Sequence, residues 1–257
     1  MTLHTTALGE HGSPIVFCHG LFGQGRNWTQ IGKELGADHR VLLVDLPHHG
    51  RSPWTDDFDY LAMADEVAGL LTADDPVTLV GHSMGGKAAM ILALRHPALV
   101  ARLVVVDTSP VAYQHLREFS RYVEAMRGLD LTALRTRADA DAAMSEAVPD
   151  ATIRGFLLQN LRRDGDSWRW QMNLSVLGDR LAELGDWPED RLAGSAPYDG
   201  PVLWIGGADS DYVRDEYAPA MQRWFPHHRR VTIKGAGHWV HSEQPATFLE
   251  VLRRFVD

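Results

Sequence analysis

The stretch Pro76-Val-Thr-Leu-Val-Gly-His-Ser-Met-Gly-Gly86 governs how the rest of the chain is read. Residues 77–80 form an apolar run of strand type and residues 88–94 a run of helix type, so Gly81-x-Ser83-x-Gly85 falls at a strand-to-helix junction. Strand and helix backbones approach closely in such a turn. Glycines are needed where a side chain would clash, and the serine hydroxyl is left exposed at the helix N-terminus. A bare Gly-x-Ser-x-Gly also occurs in ordinary glycine-rich turns; the strand before it and the helix after it give it meaning here.

Further apolar runs rich in Val, Leu and Ile lie at 15–18, 41–44, 103–106, 202–205 and 231–233. Runs of this kind read as strands covered on both faces, and their alternation with amphipathic stretches predicts an α/β fold with a mostly parallel central sheet flanked by helices. Five of the six runs lead into Gly, Asp or His at or just past their C-terminal ends, the side of an open sheet where ligands bind. Between Ser109 and about Ala196 the strand rhythm stops. Phe119, Tyr122, Val123 and Met126, then Ile153, Phe156, Leu157 and Leu161, then Leu174, Leu177, Leu181 and Leu184 follow helical spacing. Pro149, Asp164-Gly165-Asp166 and the stretch Gly185 to Pro188 punctuate them. The expected organisation is a core of residues 1–110 and 196–257 with a helical insertion over 111–195; an independent second domain is the alternative.

Composition narrows the function classes. The chain has 257 residues, 45% hydrophobic, enough for a full-sized core. Lys and Arg number 25 against 34 Asp and Glu, a net charge of −9 that disfavours nucleic acid as a partner. The one cysteine, Cys18, lies within an apolar strand and excludes a disulfide framework or a cysteine-rich metal site. No run of about 18 apolar residues occurs, and the start Met1 to Thr6 lacks a basic region followed by an apolar stretch. These features predict a cytoplasmic protein with no membrane partner. Gly20-x-x-Gly23-x-Gly25 lacks dinucleotide-binding spacing, and no Gly-Lys-Ser/Thr occurs, so no cofactor is expected. The adjacent pairs His48-His49 and His227-His228 do not converge on a metal as i, i+4 pairs do, and read as loop histidines.

A serine hydroxyl is a poor nucleophile near neutral pH and needs a base within reach and a third group to orient that base. Among 13 histidines, His238 stands out in Lys234-Gly-Ala-Gly-His-Trp239, a glycine-rich turn between the last strand run and the final helix at 245–255. Two aspartates follow strand runs and compete for the third place. Asp107 lies 24 residues after Ser83, and Asp209 sits in Gly206-Gly-Ala-Asp-Ser-Asp211.

The chain resembles α/β-hydrolase-fold enzymes over essentially its whole length, on four motifs: His19-Gly-Leu-Phe-Gly23, Asp45-Leu-Pro-His-His-Gly-Arg-Ser52, Gly81-His-Ser-Met-Gly-Gly86 and Gly235-Ala-Gly-His-Trp239. Val106-Asp-Thr-Ser-Pro110 with Gly237-His-Trp-Val-His241 is most similar to the YbfF-type small bacterial esterases and their abhydrolase relatives. The resemblance implies a helical cap inserted after the sixth strand of the fold. It also implies a serine hydrolase of carboxylic esters or thioesters, with Ser83 as nucleophile, His238 as base and Asp107 as the favoured acid over Asp209. Backbone N–H groups of Leu21 and Met84 would hold the oxyanion. Phe22, His82 and Trp239 are expected at the substrate pocket, and one of the insertion's arginines could face an anionic substrate. The superfamily usually has glycine where this chain has His48. The same triad could instead serve C–C bond hydrolysis, peptide or haloperoxidase chemistry, and the fold could serve a weakly catalytic ligand receptor. A serine at position 83 argues against epoxide hydrolases and dehalogenases, whose nucleophile is aspartate.

Overall fold

In the computed structural model, which describes residues 2–113 and 116–257, all six apolar runs are strands of one seven-stranded sheet. The strands are β1 (Thr5–Leu8), β2 (Pro14–Cys18), β3 (Arg40–Val44), β4 (Val77–His82), β5 (Val100–Val106), β8 (Val202–Gly207) and β9 (His228–Ile233), in the order β1-β3-β2-β4-β5-β8-β9. All neighbours are parallel except β1, which pairs antiparallel with β3 at one edge. Sequence reading misses β1, because Thr-Thr-Ala-Leu is short and half exposed and carries no apolar run. Met1 lies outside the described residues.

Side-chain alternation splits the core into two layers. Ile15, Phe17, Val104 and Val106 point to one face, where α1 (Thr29–Leu35) and α12 (Pro245–Val256) cover them. Val16, Cys18, Leu103 and Val105 point to the other, against α2 (Tyr60–Ala68), α3 (Met84–Arg95) and α10 (Ala218–Trp224). The four-residue α11 (Val240–Glu243) leads into α12. Asp59 caps α2 by accepting from the Leu61 N–H at 2.7 Å.

The inserted segment leaves the sheet after β5, the fifth strand counted along this chain, and returns at β8. It holds α4 (Arg117–Arg127), α5 (Arg137–Met144), α6 (Ala151–Leu158), α7 (Leu174–Asp179), α8 (Leu181–Gly185) and α9 (Glu189–Leu192). It is not wholly helical. Leu161, expected on a helix with Phe156 and Leu157, opens the strand β6 (Leu161–Asp164), which pairs antiparallel with β7 (Ser167–Trp170). Asp164 faces Ser167 across the two-residue loop Gly165-Asp166, and Gly165 has φ +60°. That is the short hairpin turn whose twist matches the strands, so Asp164-Gly-Asp166 joins a ribbon rather than separating helices.

The contacts that tie the segment to the sheet domain include three hydrogen bonds to main-chain carbonyls. The Tyr60 hydroxyl donates to Leu184 O at 2.8 Å, Asn160 Nδ2 donates to Phe22 O at 2.8 Å, and the Asn173 N–H donates to His48 O at 2.8 Å. No described helix is long and apolar enough to cross a membrane.

Candidate active site

The turn between β4 and α3 shows why its residue types are required. Ser83 sits at φ 52° and ψ −117°, a strained backbone for a residue with a side chain. A Cβ on Gly81 would lie 2.3 Å from Gly85 O, and one on Gly85 would lie 2.4 Å from His19 O, so neither position tolerates a side chain without moving backbone. The Ser83 N–H donates to Val106 O at 3.0 Å, which locks the turn to β5.

The β9–α11 loop brings His238 over this serine. Nε2 of His238 lies 3.0 Å from Ser83 Oγ, and Nδ1 lies 2.7 Å from Asp107 Oδ2. Asp107 is fully buried at the end of β5 with φ 49°. Its carboxylate also accepts from the Gly207 N–H at 3.0 Å and from Ser210 Oγ at 2.5 Å, so three donors fix its orientation. Asp209 is exposed and makes no hydrogen bond with His238; its N–H donates to Ala236 O at 2.9 Å. Among the described residues, neither the Leu21 N–H nor the Met84 N–H has an acceptor within the protein, and both residues line the same cavity as Ser83.

Four further histidines surround these groups, all buried and held neutral, and His49, on the loop after β3, is one of them. His19 donates from Nδ1 to Gly20 O at 2.8 Å and accepts the Leu46 N–H on Nε2 at 3.0 Å. His49 donates from Nδ1 to Pro47 O at 2.8 Å and accepts the Phe22 N–H on Nε2 at 3.2 Å. Phe22 stands at φ 61°, and the His49 and Asn160 contacts at its N–H and C=O hold that backbone next to Leu21. His82 donates from Nε2 to His238 O at 2.8 Å, bracing the loop from behind. His241 stacks on Trp28 with ring centroids 4.1 Å apart.

Burial lowers His19 to about 4 and His241 to about 3, and pushes His49 and His82 well down. An unfolded chain takes up these protons near 6.5. The unfolded state therefore binds more protons as pH falls below 6.5, and this share of stability is present above 6.5 and lost on the way to about 4. Tm measured against pH should drop steeply over that window, and the drop should be shallower in His241→Phe.

His48 is also buried rather than a free loop residue. Its φ of 68° explains why glycine suits this position, and its Nε2 lies 3.1 Å from Thr55 Oγ1.

A small cavity opens beside Ser83, with Leu21, Met84, Leu116, Phe119, Leu181 and Leu184 among its apolar walls. Phe22, His82 and Trp239 do not line it. Phe22 is packed beneath the loop, and His82 and Trp239 border a separate small cavity with Phe156. None of the insertion's arginines lines it either; Arg127 pairs with Asp179 at 2.8 Å on the surface. Sequence reading missed Lys87, which lines the cavity one helical turn beyond Ser83 at 2% exposure. Its Nζ donates to Val111 O at 3.0 Å and to Gly185 O and Asp186 O at 2.6 Å each. Burial lowers this ammonium to about 7, opposed by the Asp186 carboxylate. Among the described residues, no group of three or more His, Cys, Asp or Glu is placed to hold a metal ion.

A hydroxyl, an imidazole and a buried carboxylate stand in hydrogen-bonded sequence beside an apolar cavity, an arrangement able to carry acyl transfer. A family model described as alpha/beta hydrolase fold matches residues 13–245. The chain is 39% identical over 250 residues to the sn-1-specific diacylglycerol lipase ABHD11 of Mus musculus, covering 94% of this chain and 80% of that one. It is 35% identical over 255 residues to the esterase YbfF of Escherichia coli (strain K12), covering 98% and 96%. A solved structure titled "Marine microorganism esterase" superposes with a TM-score of 0.94 at 33% identity, covering 99% of each chain. The chain belongs to the alpha/beta hydrolase fold family. It is a hydrolase of the esterase and lipase type.

Proposed function

We propose that the protein hydrolyses carboxylic esters of small to medium acyl chains through an acyl-enzyme on Ser83, and that thioesters can enter by the same chemistry. The chain of contacts from Ser83 Oγ through His238 to Asp107 carries this reading. Ser83 Oγ attacks the acyl carbon while its proton passes to His238 Nε2. Negative charge gathers on the former carbonyl oxygen, where the Leu21 and Met84 N–H groups are free to receive it; one such donor is worth about 3 kcal/mol. The imidazolium, steadied by Asp107, returns the proton to the departing alcohol. Water then attacks the acyl-serine with His238 again as base, releasing the acid and restoring Ser83.

Residues 111–195 act as a cap that closes the acyl cavity, whose walls are mostly apolar as an acyl group requires. The names of the relatives, an esterase and an sn-1-specific diacylglycerol lipase, point to the same substrate class. Hydrolysis of p-nitrophenyl esters from acetate to decanoate by the purified protein tests the reading, with fluorophosphonate labelling followed by intact mass. Turnover that peaks at short to medium chains, with one adduct on Ser83, is the expected result. Silence toward every ester and no adduct would sink it.

A further inference from the structure

Lys87 occupies a position whose chemistry the acyl-transfer steps do not use. It lies on α3, where every residue from Met84 to Leu94 is buried, and is the one charged side chain in that run. An ammonium in such surroundings is costly unless its donors are satisfied. All three acceptors it finds are main-chain carbonyls of the inserted segment: Val111 O where the segment leaves the sheet, and Gly185 O and Asp186 O at the end of α8. The Tyr113 N–H donates to the same Gly185 O at 2.8 Å.

The stretch held this way is a thin wall between two cavities. Leu184 and Gly185 face the cavity that contains Ser83, whereas Glu183, Asp186 and Trp187 face a larger outer cleft. Tyr60 borders both, and its hydroxyl holds Leu184 O at 2.8 Å. One aromatic ring and one turn of backbone therefore separate the acyl cavity from a larger space beyond it.

The geometry points to Lys87 as the residue that sets acyl-chain length, by pinning the Gly185–Asp186 backbone as the end wall of the Ser83 cavity. This rests on the ester-hydrolase reading above. Loss of the three Nζ hydrogen bonds frees the wall and joins the cavity to the outer cleft, giving longer chains room that the wild type denies them.

Lys87→Met keeps the unbranched length and removes the donors. Tyr60→Val, which thins the wall from α2 and leaves Lys87 in place, covers the case in which the first variant does not fold. The readout is the ratio of kcat/KM for p-nitrophenyl decanoate to that for the butyrate, normalised to the fraction of Ser83 that a fluorophosphonate labels. We expect the ratio to rise about tenfold or more in either variant, the scale on which pocket fit discriminates a few methylenes. A residue that only stabilises the fold would lower Tm and leave the ratio alone. Ratios within about twofold of wild type in folded, fully labelled variants overturn the inference. A wild type that hydrolyses no ester overturns the ester reading together with it, so the two failures are distinguishable.

Discussion

Ser83→Ala is expected to lower kcat for p-nitrophenyl butyrate by about 10^6-fold, the scale at which loss of a serine nucleophile leaves only binding and oxyanion stabilisation. The change removes one oxygen and keeps the backbone requirement, because alanine must still adopt φ 52° between Gly81 and Gly85. His238 would keep its contact with Asp107 and face a methyl group where Oγ stood 3.0 Å away. Stopped-flow traces should lose the burst of p-nitrophenol along with the steady-state rate, and the fluorophosphonate adduct should vanish. Retention of both activities in the alanine variant would rule Ser83 out as the nucleophile.

The second large effect is expected at Asp107. Asparagine there keeps size and shape but turns an amide NH2 or a carbonyl toward His238 Nδ1, so the imidazole loses the carboxylate that fixes its tautomer and steadies its charge. A loss of about 10^4-fold in kcat follows from that defect in a comparable triad. Asp209→Asn should stay within about threefold of wild type, because its exposed carboxylate makes no hydrogen bond with His238. The two variants measured side by side give the test. A collapse of activity in Asp209→Asn with Asp107→Asn nearly intact would move the acid to the outer strand.

Legibility from sequence followed how locally each feature is determined. The serine turn could be read because two neighbouring backbones leave no room for a Cβ at Gly81 or Gly85, a demand that shows up as residue type. The paired choice of Asp107 or Asp209 could not be closed by spacing, since both follow sheet strands and only the turn of the His238 loop decides which one it meets. The pocket residues named around the motifs were the weakest readings. Phe22, His82 and Trp239 sit beside the right residues in the chain, but a side chain next to a reacting group in sequence points elsewhere as often as toward it, and here His82 braces a carbonyl while Phe22 fills the core. Two signals went unread: a lysine inside an otherwise apolar helix, which asks for buried acceptors, and Gly165-Asp166 between residues that could alternate, which asks for a hairpin.

The strained backbone at Phe22 is held from two sides. Its N–H is held by His49 of the sheet domain, but its carbonyl is held by Asn160, which the inserted segment brings in from 138 residues away, and Gln24 in turn binds Asn160 Oδ1 at 2.5 Å. The backbone next to Leu21 is thus held partly by the sheet domain and partly by the insert. Attempts to exchange the insert for that of another hydrolase, as one would swap a module to change substrate range, would remove half of this support. A chimera that carries over an asparagine able to reach Phe22 O should keep its rate, whereas one without it should trade new selectivity for a slower enzyme.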